Sequence, residues 1–440
     1  MKRNVLKSVA LLSVAGLLFA SCKDDNKTDD SWKQIPDGLL TAETGDAVIA
    51  VNGVPETIGS VKLTPSGAED GTLLMMNVIP GYKDVTVDVK ISHTDDNAYS
   101  FSGSTLLAQT PKMISLLYDR PAATIYEVSV DGDVTLDGRI TVNAVTRVAD
   151  DARDGLAGTW DLLRSAAPGS NLLPSSYPLQ VTWTAKGEYA AQAANLSVAL
   201  SLFGSIKLAD SFNSLTFHDD GNITAEYWED ESDGDDDGGF QMPDVKKLLA
   251  SLLGADGKYH FNATSHTEWM SSPKANLAFW YALGGYLFTV PNTGAFSDSD
   301  DSSDELLSLP AAGSDIGDLT EIIGDLGELG VDIKTLMPVI LDISQNGVKV
   351  KYSAGDKVLS LYVDKELCGP VIEALLPALM KLDGVLAEME SNPDLSEEEK
   401  AELQALKAIM QAFGMEKPSD FAALWQNTET FSVAVHLVSL

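Results

Sequence analysis

The stretch Val85-Thr86-Val87-Asp88-Val89-Lys90-Ile91 decides the fold class, because apolar and polar side chains alternate along it. Successive side chains of a β-strand point to opposite faces, so this period of two predicts a strand with one buried and one solvated face. Similar patterns continue on both sides. Asn52-Gly53 and Asp137-Gly138, which are typical of tight hairpin turns, interrupt them. Residues 38–150 are therefore predicted to form a small antiparallel β domain, either a barrel or a sandwich.

A second β region follows the charged segment 150–155, which we take as the domain boundary. Its strand patterns recur as far as the C-terminus, and most of them have one polar face. Helical patterns are inserted between the strands, at about residues 243–253, 315–343 and 371–413. The sequence therefore predicts a mainly β protein with two domains, of which the second, residues 155–440, carries several helices.

Two motifs in this second region carry a resemblance. Gly158-Thr159-Trp160 resembles the Gly-x-Trp that opens the first strand of lipocalins, where the indole plugs one end of the barrel. The hairpin 217–223, with an aromatic residue shortly before Asp-Gly, is similar to a turn of bacterial calycins. The last strand, residues 431–440, departs from lipocalins because it lacks their arginine. The resemblance implies a lipocalin-like, or calycin-like, antiparallel β-barrel with helical insertions, and it implies no reaction.

The first 21 residues have the composition of a secretory signal peptide. Lys2 and Arg3 precede a largely apolar run over residues 9–20, which is too short for a permanent transmembrane helix. The run leads to Ala20-Ser21-Cys22, which resembles the lipobox of bacterial lipoproteins. That resemblance implies cleavage before Cys22 and acylation of this cysteine, and several acyl chains would anchor the protein stably in a membrane.

The residues after the cysteine indicate where in the cell envelope the protein is located. Lys23, Asp24 and Asp25 resemble the export signal of Bacteroidetes surface lipoproteins, which implies that the protein is anchored in the outer membrane and faces the cell exterior. Residues 22–37 contain little apolar surface and are predicted to be a flexible tether. The whole chain resembles an uncharacterised family of Bacteroidetes cell-surface lipoproteins with calycin-like β domains.

The chain is strongly acidic, with 30 Lys+Arg against 65 Asp+Glu and a formal net charge of −35. Nucleic-acid binding depends on Lys and Arg contacts to phosphates, so nucleic acid is excluded as an expected partner. Anionic lipid surfaces would also repel the chain. Attachment to the outer membrane is therefore expected to depend on the lipid at Cys22. Cys368 then has no second thiol, and we expect it to be a buried, apolar-type residue.

Catalytic motifs are missing from the sequence. It contains no Gly-x-Ser-x-Gly elbow, no P-loop and no dinucleotide-binding glycine pattern. Only His260 and His266 are close in sequence among the five histidines, and on one strand they would lie about 20 Å apart. We expect a protein that is not an enzyme. A hydrolase with an unrecognised carboxylate site stays as an alternative.

Aromatic residues are the candidate ligand-binding residues. Phe279-Trp280-Tyr281 places rings on both faces of one predicted strand, and Trp228 shares a strand face with Glu226. A flat indole beside a carboxylate is typical of surfaces that stack on sugar rings. Trp228, Trp280 and Tyr281 are therefore candidates for binding a glycan. The other interpretation is that the inserted helices cover these rings and that they belong to the core.

An acidic loop is the candidate metal site. Asp233, Asp235, Asp237 and Gly238, followed by Asp244, match positions 1, 3, 5, 6 and 12 of an EF-hand calcium loop. Asp stands where Glu is usual, and a strand rather than a helix is expected before the loop. The sequence therefore predicts a weak calcium site, with a solvated acidic loop as the alternative and no required cofactor.

These observations favour a lipid-anchored, non-catalytic binding protein of the cell surface, with a glycan as its ligand. A structural or adhesive surface protein that contacts other proteins is the second hypothesis. An exposed flat apolar patch would favour adhesion, whereas a separate ligand site would favour binding.

Overall fold

The computed structural model describes residues 31–95, 97–108, 123–169, 173–228, 245–292, 330–355, 357–392 and 414–439, together with residues 327, 395–396, 400, 403–404, 406–407 and 410–411. The protein is mainly β, with 43% strand and 28% helix, and its strands form two curled sheets, each a half-barrel. The predicted fold class is confirmed. Within the described ranges, no helix is both long and apolar enough to cross a membrane.

The first sheet contains nine strands in the described part of residues 40–148, in the order β1-β4-β5-β6-β7-β8-β9-β2-β3. Their bounds are β1 Leu40–Thr41, β2 Ala47–Val51, β3 Val54–Glu56, β4 Ser60–Pro65, β5 Asp70–Met76, β6 Asp84–Asp95, β7 Ala98–Ala108, β8 Thr124–Thr135 and β9 Ile140–Val148. Neighbours are antiparallel except β2 and β9, which run parallel. This one parallel pair departs from the purely antiparallel expectation, and it brings the first hairpin alongside the last strand.

Local sequence explains the strands and turns of this sheet. Val85, Val87, Val89 and Ile91 on β6 are at most 3% exposed, while the residues between them are exposed. The predicted turn between β2 and β3 is present, with φ angles of 52° at Asn52 and 79° at Gly53. Positive φ at both positions is what a tight hairpin of this handedness requires.

The N-terminal end of the described chain packs onto this sheet. Ser31–Gln34 forms a 3₁₀ turn, Trp32 packs against the core, and Ile35 is 5% exposed. Residues 31–35 of the predicted tether therefore contact the first sheet through two apolar side chains. Residues 22–30 lie outside the described residues.

The second sheet contains ten strands among the described residues, in the order β16-β14-β13-β10-β21-β20-β19-β18-β17, with β12 paired to β21 alone. Their bounds are β10 Gly158–Leu162, β12 Leu179–Ala185, β13 Phe212–Phe217, β14 Ile223–Tyr227, β16 Met270–Ser271, β17 Ala278–Leu283, β18 Tyr286–Pro291, β19 Val348–Gly355, β20 Val358–Asp364 and β21 Thr428–Val438. Two short strands, β11 Ser165–Ala166 and β15 Tyr259–His260, pair separately.

The described helices are α1 Asp150–Arg153, α2 Tyr189–Ser211, α3 Val245–Leu252, α4 Ile333–Asn346, α5 Lys365–Ser391 and α6 Asp420–Gln426. Predicted helices at 243–253, 315–343 and 371–413 correspond to α3, α4 and α5. The part of the second before residue 327 lies outside the described residues, and the last is described beyond Asn392 only at isolated positions. The sequence pattern did not predict α2 or α6.

Helix α2 docks on the free edge of β12 through serine hydroxyls. Ser197, Ser201 and Ser205 recur once per helical turn, and they accept hydrogen bonds from the backbone N–H groups of Trp183, Val181 and Leu179 at 2.9, 2.8 and 3.1 Å. Ser201 and Ser205 also donate to the carbonyl of the same strand residue. The helix therefore pairs the backbone groups that β12 would otherwise leave open, as buried edges require.

Strand β17, at one edge of the second sheet, packs against the first sheet and is buried on both faces. The Trp280 ring packs against Phe217 of the second sheet at 5.0 Å between centroids. On the other face, Phe279 and Tyr281 pack against Tyr126 of the first sheet at 5.9 and 6.3 Å. One hydrophobic cluster thus includes buried residues of both sheets.

The hairpin between β13 and β14, residues 217–223, joins the sheets. The backbone N–H of Val148 donates to the Asp219 carbonyl at 2.8 Å, and the Trp280 indole donates to the His218 carbonyl at 2.9 Å. Its Asp-Gly turn, which resembles a calycin turn, therefore has a structural role at the contact between the two sheets.

Asn222 of this hairpin and Asn276 form a buried pair of amide side chains. Asn222 donates to the side-chain oxygen of Asn276 at 3.0 Å, and Asn276 donates to the Val51 carbonyl at 2.7 Å and to Glu56 at 3.1 Å. Burial raises the pKa of Glu56 in spite of these hydrogen bonds. Satisfied buried polar groups of this kind specify one arrangement of the packed elements.

Candidate functional site

One face of β10, β13, β14 and β16 carries polar side chains, while Trp160 and Leu215 on the opposite face contribute to the core. The strand register places Ser214, Glu226 and Ser271 in one row across the sheet. Glu226 accepts hydrogen bonds from the side chains of Asn213 and Ser214 at 2.7 and 3.1 Å. Its carboxylate is thereby held in one orientation on this face.

Four half-buried side chains form an aromatic cluster at the end of this face. The Trp228 indole stacks on the His266 imidazole, with ring centroids 4.4 Å apart and planes 13° apart. Trp269 packs edge-to-face against the same imidazole at 4.3 Å. The Arg164 guanidinium lies 5.1 Å from the centre of the Trp269 ring. Trp228, His266, Trp269 and Arg164 are termed the aromatic cluster below.

The C-terminal end of α2 positions this cluster. The backbone N–H of Trp228 donates to the Ser211 carbonyl at 2.9 Å. Arg164 donates to the carbonyls of Ala209 and Phe212 at 2.8 and 2.9 Å. Burial lowers the pKa of Arg164. The C-terminal end of α2 therefore binds both the segment after β10 and the residue that follows β14, which brings Arg164 and Trp228 into one cluster.

Asp210, also near the end of α2, holds the loop that carries His266 and Trp269. Its carboxylate accepts from the backbone N–H groups of Thr264 and Ser265 at 2.7 and 3.2 Å. Burial raises the pKa of Asp210, but these hydrogen bonds and the nearby His266 outweigh that effect, so its pKa lies below the usual value. The carboxylate therefore favours its charged form beside the cluster.

The structure divides the three sequence-predicted aromatic residues. Trp228 belongs to the aromatic cluster and is half-buried. Trp280 and Tyr281 are 0% and 6% exposed, because the first sheet covers one face of β17 and the second half-barrel covers the other. The rings of Trp280 and Tyr281 therefore belong to the core and offer no surface to a ligand. Tyr281 packs against Tyr126 of the first sheet and Trp280 against Phe217 of the second, so packing between and within the sheets makes both rings part of the core.

Sequence reasoning missed His266, Trp269 and Arg164 as partners of Trp228. It placed His260 and His266 on one strand, but the strand ends at His260. His260 instead bonds to Asp256 at 2.9 Å. The sequence contains no signal that joins residues 164, 228 and 266, since a helix end brings the three segments together.

The remaining candidates stand as follows. Cys22, Lys23, Asp24 and Asp25, and the proposed calcium ligands Asp233, Asp235, Asp237 and Asp244, all lie outside the described residues. In the part of the chain that is described, no group of three or more His, Cys, Asp or Glu residues is arranged to hold a metal ion. Cys368 is half-buried, and burial raises the pKa of its thiol.

The aromatic cluster offers a stacking surface. The imidazole of His266 supports one face of the Trp228 ring, and among the described residues no second ring or cation stacks on this indole. Hydrogen-bonding side chains of β14 and β16, including Glu226 and Ser271, lie on the neighbouring part of the sheet. A flat apolar ring beside fixed polar groups can bind a ligand that has both kinds of surface.

No protein-family model, curated protein or solved structure matches this chain.

Proposed function

We propose that the protein is a lipid-anchored protein of a bacterial cell surface that binds a glycan without turning it over. The observation that carries this proposal is the indole of Trp228, supported on one face by His266 and adjoined by a row of polar side chains. The lipobox-like Cys22 and the Lys23-Asp24-Asp25 that follows it support the anchor and the outward-facing address in the outer membrane.

The chemistry of a sugar ring explains the choice of ligand class. A pyranose has an apolar C–H face, which stacks on an indole, and hydroxyl groups around its rim, which need hydrogen-bond partners. Glu226 and Trp228 are two residues apart and lie on the same side of the chain, about 7 Å along the strand direction. That separation is similar to the width of one sugar ring, so stacking and hydrogen bonding can act on one residue of a glycan.

Binding can be tested with a soluble fragment that begins at Ser31, screened on a glycan array and then titrated by calorimetry. Trp228→Ala should weaken any selective hit by about 30-fold or more, as expected when a central aromatic contact is truncated. Tyr362→Ala is the matched control, because Tyr362 is a half-buried aromatic residue elsewhere on the second sheet. It should leave affinity within about twofold.

The other outcomes decide between the alternatives. An array without selective hits, or a folded Trp228→Ala variant with unchanged affinity, would refute the proposal. Release of shorter products from a bound polysaccharide would identify a hydrolase. Capture of a defined surface protein with no glycan hit would identify the adhesive alternative.

A further inference from the structure

The two ring nitrogens of His266 both face carbonyl oxygens. Nε2 lies 2.7 Å from the Asp210 carbonyl, and Nδ1 lies 2.9 Å from the Glu268 carbonyl. A carbonyl oxygen only accepts hydrogen bonds, so each nitrogen must donate. Only the imidazolium carries two N–H groups, because a neutral imidazole always has one nitrogen without a proton. Rotating the ring by half a turn would put C–H groups at both places and lose both hydrogen bonds.

Aromatic rings and charged residues surround His266. Its ring stacks on Trp228 and packs edge-to-face with Trp269. The charged residues of the elements packed here are Asp210 of α2, Glu226 two residues before Trp228, Glu268 of the loop that carries His266, and Arg164, whose guanidinium lies against Trp269. Asp210 is electrostatically coupled to the imidazole.

We infer that His266 is a positioning residue, which holds the Trp228 indole in its stacking orientation only as an imidazolium. After loss of a proton, one nitrogen lone pair would face a carbonyl oxygen at hydrogen-bonding distance, which is repulsive. The ring then leaves this position, and Trp228 loses the support of one face. Histidine is the side chain that changes charge between pH 5 and 8. We therefore expect His266 to hold the Trp228 indole in its stacking orientation at mildly acidic pH and to release it as pH rises.

The expected effect of pH on glycan binding rests on the proposed function. The dependence of the Trp228 orientation on the protonation of His266 does not. Glycan affinity should fall as pH rises through the range in which His266 deprotonates. Both the protonation of His266 and the environment of Trp228 can be measured without any ligand, so the two proposals can fail separately.

The test uses the full chain, labelled with nitrogen-15 histidine and with fluorotryptophan, and followed by NMR between about pH 5 and about pH 8. His266→Gln and Trp228→Phe variants assign the two signals. At the acidic end both His266 nitrogens should show protonated chemical shifts. As pH rises, the fluorine signal of Trp228 should move with the same midpoint as the His266 nitrogens.

Variants separate positioning from a merely structural contact. His266→Arg supplies a planar cation with N–H donors at every pH, so it should keep the Trp228 signal in its acidic position throughout. His266→Gln should shift that signal at every pH. The control is His93→Gln, because His93 is exposed on β6 and should leave the profile unchanged.

A neutral His266 at about pH 5 overturns the inference. A Trp228 signal that does not change while His266 loses its proton overturns it too. If the Trp228 signal follows the titration of His266 and no glycan binds, the inference about His266 stands and the proposed function fails.

Discussion

Replacing Ser201 with alanine tests how α2 is held against the second sheet. Ser201 is 2% exposed, and its hydroxyl accepts from the Val181 N–H at 2.8 Å and donates to the Val181 carbonyl. The N–H and carbonyl groups of Val181 point toward α2, away from β21, and Val181 is buried. Ser201→Ala therefore leaves the buried N–H group of Val181 without its hydrogen-bond acceptor.

The expected cost follows from two opposing contributions. A buried N–H group left without an acceptor costs about 1–3 kcal/mol. Alanine has a higher helix propensity than serine, which returns about 0.5 kcal/mol. The free energy of unfolding should therefore fall by about 1.5 kcal/mol, with about 2.5 kcal/mol as the upper end.

Urea unfolding followed by circular dichroism measures this difference. Ser211→Ala is the matched control: Ser211 is on the same helix but exposed, and its hydroxyl donates only to the Lys207 carbonyl one turn earlier, at 3.0 Å. This control carries the propensity change without the docking contact, so its stability should change by no more than about 0.5 kcal/mol. If Ser201→Ala costs no more than Ser211→Ala, the serine contacts do not hold the helix and the reasoning is refuted.

Three further predictions concern the lipid anchor, the Glu56 carboxyl group beside Asn276, and the acidic loop. Cys22→Ala should abolish fatty-acid labelling and release the protein from membranes, whereas alanine at the three residues after it should keep the lipid and lose surface exposure to protease; a Cys22→Ala protein that still pellets with membranes contradicts the anchor. The raised pKa of Glu56 means that the folded state binds this proton more tightly than the unfolded state. The stability of the wild type relative to Glu56→Gln should therefore rise as pH falls from 7 toward the ordinary carboxyl range, and urea melts at both ends that show a constant difference would contradict it. Calcium at millimolar concentration should raise the melting temperature more than magnesium does, and Asp235→Asn should remove that rise, as expected for a site with a dissociation constant of about 10⁻⁴–10⁻³ M; equal effects of the two ions would leave only a solvated loop.

The sequence by itself determined strand β6 and the tight turn after β2 in the first sheet. Alternation at residues 85–91 and the Asn-Gly turn at 52–53 depend on side-chain direction and on φ alone, which are local properties of the chain. Local patterns also located α3 and α5 in outline. Helix α2 was missed because its docking face presents serines at 197, 201 and 205, and hydroxyl groups leave no apolar stripe to read.

Only the tertiary structure decided what the aromatic residues do. Trp280 of β17 and Trp228, just after β14, both have mixed neighbours in the sequence, yet Trp280 is fully buried against Phe217 of the second sheet and Trp228 is half-buried. Burial of a strand face depends on which distant element packs against it, and that is a property of the assembled sheets. The aromatic cluster arises in the same way, because His266 meets Trp228 only where the end of α2 binds three separate segments through their backbone and side-chain hydrogen bonds.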